Sequence, residues 1–136
     1  MTTPRAFISF DFDHNEAEKH LFVGQARNSR TPFSIEDWSS KSSLPLIQWE
    51  QSIADKIKKC NILIVLVGKT MASATGVAKE IAFAKVADVP VFGVYVDGAD
   101  ETSNLPDGLS RSCTFTWEWN KIALAIETCM GIGKNK

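Results

Sequence analysis

An excess of charge of either sign is missing from this chain of 136 residues, in which 15 basic residues stand against 16 acidic ones for a formal net charge of -1. The one basic concentration, Lys56, Lys58 and Lys59, falls on a helical stretch. Such a balance argues against a nucleic-acid or anionic-membrane surface as the main business, because both demand a basic face. Cysteine is scarce too. Cys60, Cys113 and Cys129 are odd in number, far apart and without metal-ligand spacing, so neither a disulfide framework nor a zinc site is expected, and they read as small core residues. No apolar run approaches the roughly 20 residues that span a bilayer, and no basic segment leads into an apolar run and cleavage site at the N-terminus. A cytoplasmic protein is the expectation. Gly-x-Gly-x-x-Gly is absent, and Gly68-Lys69-Thr70 lacks the earlier glycine of a phosphate loop, Leu63 standing in its place. The two histidines, His14 and His20, lie close to one helix start and suggest neither a triad nor a metal site.

What is present is ordinary globular material, 44% apolar and 23% charged, at a length suited to one hydrophobic core. We expect one domain over residues 1–130 and a fraying tail over 131–136. Ala6-Phe7-Ile8-Ser9-Phe10 suits a buried strand, and Asp13 with Glu16 has capping-box spacing for a helix to about Arg27. Phe33-Ser34-Ile35 reads as a second strand and 39–43 as a polar loop. Leu46, Trp49, Ile53, Ile57 and Cys60 then recur at spacings of three and four, one apolar stripe on a helix. Ile62 to Val67 is apolar on both faces and β-branched, as a central parallel strand must be. A helix over 75–87, a strand over 89–96, a short strand over 113–117 and an amphipathic helix carrying Ile122, Leu124, Ala125, Ile126 and Met130 complete the chain.

Strict βα alternation with buried strands predicts a doubly wound five-stranded parallel sheet, flavodoxin-like, in the order 2-1-3-4-5. The ligand crevice then lies at the carboxyl ends of β1 and β3, among Ser9 to Asp13, Asp37 and Trp38, and Gly68 to Glu80. A phosphorelay receiver would need an aspartate at the end of β3, where Val67-Gly68-Lys69 stands. A flavodoxin would need a hydroxyl-rich phosphate loop after β1, but Asp11-Phe12-Asp13-His14 would repel an anion.

Glu80 remains. Its helix is nearly apolar all round, with Lys79, Glu80 and Lys85 its only charges. The positions three and four away hold Gly76, Val77, Phe83 and Ala84, so no local i,i+4 salt bridge accounts for it. A solvent-facing glutamate at the helix edge is the plain alternative, and Glu50 reads as another glutamate standing alone.

These residues carry a likeness. Phe7-Ile8-Ser9-Phe10-Asp11-Phe12-Asp13 resembles the first box of TIR domains. The stretch from Phe33 to Ser39 with Lys41 is similar to the second strand and loop of bacterial and archaeal TIR-like proteins. The stretch from Val67 through Ala74-Thr75-Gly76-Val77 to Glu80-Ile81 resembles that family's catalytic segment, and Trp117-x-Trp119 fits before the final helix. The resemblance implies an enzyme of the kind found in antiphage systems such as Thoeris, cleaving NAD at the nicotinamide-ribose bond to give ADP-ribose or a cyclic or conjugated derivative used as a signal. It implies Glu80 as the catalytic carboxylate, and Ser9, Phe10, Asp11, Asp37, Trp38 and Gly76 around the substrate. NAD is then the substrate, with no cofactor and no metal. A homo-oligomer on activation and a separate messenger-sensing effector are the implied partners. Many NAD-cleaving TIR domains carry a tryptophan where Gly76 stands, so either another ring, Trp38 for instance, supplies that wall or the activity is altered or lost.

Each companion has a plainer reading. Phe10 ends a buried strand and suits the core, Asp11 or Asp13 suits a helix cap, Trp38 suits packing under a loop, and Trp49 belongs to the apolar stripe. Two other functions stay open: a non-catalytic TIR-like interaction module, and a nucleoside deoxyribosyltransferase-like enzyme using a carboxylate nucleophile on the same fold.

Overall fold

The computed structural model describes residues 4–11, 15–28, 34–38, 45–69 and 75–132. Five strands are present: β1 (Arg5–Ser9), β2 (Ser34–Trp38), β3 (Ile62–Val67), β4 (Val91–Tyr95) and β5 (Thr114–Phe115). They alternate with α1 (Glu16–Asn28), α2 (Leu46–Lys58), α3 (Thr75–Val86) and α4 (Trp119–Ile132), the last reached after β5. All strand pairs are parallel, and the sheet runs β2-β1-β3-β4-β5. The expected parallel α/β architecture is therefore the observed one.

Side-chain alternation along the strands builds two cores. Ala6, Ile8, Ile62, Ile64 and Leu66 face α1 and α4, where Phe22, Ile122, Ala125, Ile126 and Cys129 meet them. Phe7, Leu63, Val65 and Val67 face the other way, onto Ile53 and Ile57 of α2 and Val77, Ile81 and Ala84 of α3. All six residues of β3 are buried, as its apolar run demands of a strand covered on both faces. The Trp117-x-Trp119 pair has a packing role: both rings lie against Phe22, with centroids 5.6 and 5.1 Å away, seating the start of α4 on α1.

Several boundaries move. β2 extends through Asp37 and Trp38, because an edge strand tolerates acidic residues that a central one would not. β5 shrinks to two residues, with a 3-10 turn over Arg111–Cys113 before it. α1 starts at Glu16, later than the Asp13 cap suggests; the Asn15 N–H donates to the Asp11 carbonyl at 2.8 Å, and the Lys19 N–H donates to the Asn15 carbonyl at 3.0 Å. Asp13 itself, His14, Phe33 and the polar loop lie outside the described residues. α4 runs on through Gly131 to Ile132, past the point where fraying is expected. The α2 stripe sinks as it goes: Leu46 is exposed, Trp49 half-buried, and Ile53, Ile57 and Cys60 buried. Leu124 lies off the buried face of α4, its place taken by Cys129, and Cys113 is exposed in its turn, not in the core.

Candidate functional site

α3 follows the carboxyl end of β3 and turns one stripe, Val77, Glu80, Ile81 and Ala84, toward the sheet. That spacing of three, four and seven is a core stripe with a carboxylate in it. Glu80 is 1% exposed, so the solvent-facing reading is overturned. Opposite it, β1 ends at Ser9, itself fully buried and registered beside Val65 of β3. The Ser9 hydroxyl donates to Glu80 Oε1 at 2.6 Å, a short bond within a buried setting. One carboxylate is thus held from the side by the last residue of β1, at the carboxyl edge of the sheet where open α/β folds bind ligands.

Other sequence candidates divide by face. Phe10, next after Ser9, points the opposite way into the core shared by α1 and α4, with the Lys19 ammonium 5.7 Å from its ring centroid. Asp11 is buried where the chain leaves β1 for α1. Asp37 and Trp38 are the last residues of β2, registered beside Phe7 and Ile8, which brings their backbone to the same edge of the sheet as Ser9. Gly76 lies in the first turn of α3, one turn before Glu80. A Cβ built on Gly76 would lie 4.0 Å from Cη2 of Trp49. The ring facing Gly76 is therefore that of Trp49 on α2. Glu50 beside it is paired, its Oε1 2.8 Å from Lys79 Nζ, which ties α2 to α3 at this end.

Gly68 and Lys69 have structural duties in place of a phosphate cradle. A Cβ on Gly68 would fall 2.6 Å from Nδ2 and 2.8 Å from Cγ of Asn15, so a side chain there would force the Asn15 amide to move. Lys69 lies over Gly98, whose φ of 70° suits the turn after β4. Two buried polar residues of this region escape sequence reasoning: Asn15, fully buried, and Lys19, 5% exposed. In the sequence Asn15 looks like a cap and Lys19 like a solvated helix position, and no periodicity separates them from their exposed neighbours. His20, by contrast, is exposed beside Glu16. Among the described residues no group of three or more His, Cys, Asp and Glu side chains is placed to hold a metal ion. Nor is any helix among them long and apolar enough to cross a membrane.

A carboxylate fixed in an apolar wall, with a hydroxyl setting its orientation, can stabilise positive charge developing on a bound sugar or attack that sugar directly. The sheet order is that of an open, doubly wound α/β fold, with this carboxylate at its carboxyl edge. The chain belongs to the family of the Thoeris protein ThsB TIR-like domain, whose model matches residues 7–101. Comparison with curated proteins gives no match. Among solved structures, a 2-deoxyribosyltransferase from the psychrotolerant bacterium Bacillus psychrosaccharolyticus is similar in fold. It has a TM-score of 0.56 and 16% identity over 88% of this chain and 90% of that one. A prokaryotic SEFIR domain is similar too, with a TM-score of 0.53 and 11% identity over 98% of this chain and 94% of its own.

Proposed function

We propose that this TIR-like domain cleaves NAD at the bond between nicotinamide and ribose, with Glu80 as the catalytic carboxylate. The observation that carries the reading is the buried Glu80 held by the Ser9 hydroxyl at the carboxyl end of β1. Departure of nicotinamide takes the bonding electron pair with it and leaves an oxocarbenium-like ribose. A fixed carboxylate favours that charge over the neutral ground-state sugar, and it does so more strongly in a buried setting than in water. Glycosidases use the same logic. Water, the adenine ring or another small nucleophile then takes the ribosyl cation and loses its proton, giving ADP-ribose or a cyclic or conjugated form. Ser9, Asp11, Asp37, Trp38 and Gly76 line the substrate side in this reading, with the Trp49 ring in place of the missing aromatic at Gly76. Phe10 supports the cleft from the core behind it.

In a Thoeris-type setting the product is an antiphage signal, read by a separate effector, and activation brings copies of the chain together. Incubation of the assembled protein with NAD, followed by mass analysis, should show free nicotinamide and an ADP-ribosyl product. Persistent absence of both from the triggered assembly would sink the reading. Glycosyl transfer between nucleosides, with Glu80 as nucleophile, draws on the same buried carboxylate; deoxynucleosides in place of NAD separate the two.

A further inference from the structure

Asn15 is the residue immediately before α1, where an amide side chain ordinarily turns back to accept a bond from the helix's first N–H groups. It does not do so. Among the described residues neither Oδ1 nor Nδ2 of Asn15 has a hydrogen-bond partner, although the residue is fully buried. Instead the oxygen and nitrogen end of the carboxamide lies against Gly68, the first residue past β3, so close that any side chain at 68 would displace it. Buried polar side chains are nearly always bonded, and one that makes none of its bonds destabilises the fold until something supplies them.

The position says what that something is. α1 packs on one face of the sheet and α3 on the other, and β1 and β3 are neighbours between them. The start of α1 and the start of α3 therefore flank the switch point, where ligands of such sheets bind. Glu80 stands on the α3 side and Asn15 on the α1 side, against the end of β3. We propose that Asn15 is a substrate-binding residue of this crevice. Its amide takes a neutral group of the bound nucleotide that both donates and accepts, a carboxamide or a pair of vicinal hydroxyls, and Gly68 is glycine to make room for it. This rests on the NAD-cleaving reading for the identity of the ligand. Like Glu80, Asn15 is buried.

Asn15→Leu tests this, since leucine matches the size of the amide and has nothing to leave unbonded; Asn15→Ala serves as a second variant. A ligand role predicts that the ligand-free Asn15→Leu protein melts at or above the wild-type temperature, while KM for NAD rises about tenfold or more. The larger share of the effect should fall on KM and the smaller on kcat. A lower melting temperature in the ligand-free state, with KM unchanged, would show a structural amide bonded to trapped water and overturn the proposal. Unchanged KM and melting temperature in both variants would overturn it as well. If the wild type binds NAD without cleaving it, the dissociation constants replace KM, and only the catalytic reading falls. If it binds no NAD at all, both fall.

Discussion

Ser9 and Glu80 lie 71 positions apart and meet in one buried hydrogen bond. Removing the hydroxyl in Ser9→Ala takes a donor from a carboxylate that solvent cannot reach. We expect a loss of about 1–3 kcal/mol in urea unfolding and a fall in NAD cleavage, because the carboxylate loses the contact that aims it. Unchanged stability would mean that the bond contributes nothing to the fold. Lys79→Ala is the control: its ion pair with Glu50 is over one-third exposed on the lysine side, and such pairs are worth at most about 1 kcal/mol. Glu80 stood out in the sequence as a charge on an apolar helix with no i,i+4 partner. Its anchoring was not, since nothing local links a serine ending one strand to a glutamate on a later helix. Asn15 and Lys19 were hidden for the same reason: their burial is a property of the elements around them, not of their own helix.

At the scale of elements, two glycines separate helix propensity from packing. Gly76 sits in α3 with room for a methyl group, so Gly76→Ala should stabilise the protein by about 0.5–1 kcal/mol, seen as a higher melting temperature. Gly93 lies in β4, where a Cβ would fall 2.8 Å from Leu109 Cδ2 and 3.2 Å from both Thr114 and Val67 side-chain carbons. Gly93→Ala should overpack the sheet and lower stability by about 1–3 kcal/mol. A gain at Gly93 or a loss at Gly76 would contradict this packing. The interior elements were the legible ones. β3 declared itself by six apolar residues in a row, and α2 by its stripe. The edges were not: β2 is longer than its apolar content suggests, since an edge strand pairs on one side only. β5 is shorter, because the Arg111–Cys113 turn takes up residues that look like strand.

For the whole molecule, the family match ends at residue 101, so β5 and α4 lie beyond it while still closing one core against Phe22 and Phe92. This part of the chain holds the thiols most readily told apart. Cys113 is exposed, whereas Cys60 and Cys129 are buried, and burial pushes the Cys129 thiol up to about 11. A thiol whose folded value is raised stays protonated, and so unreactive, at every pH below that value. Native protein at pH 8 should therefore take up one equivalent of an alkylating reagent quickly, at Cys113, and the other two only after unfolding. Fast labelling of Cys129 would show that α4 does not hold its place. The parallel α/β class could be read from the alternation of elements. Which cysteine sits inside could not, because it depends on how α4 rotates onto the sheet.

The catalytic role proposed for Glu80 is tested most directly by nicotinamide release from NAD, comparing wild type with Glu80→Gln in the assembled, triggered state. Glutamine can keep the bond from Ser9 but cannot carry the charge. Release by the wild type and a loss of about a hundredfold or more in the variant are expected, at an unchanged melting temperature. Equal release by both proteins would rule out catalysis by Glu80.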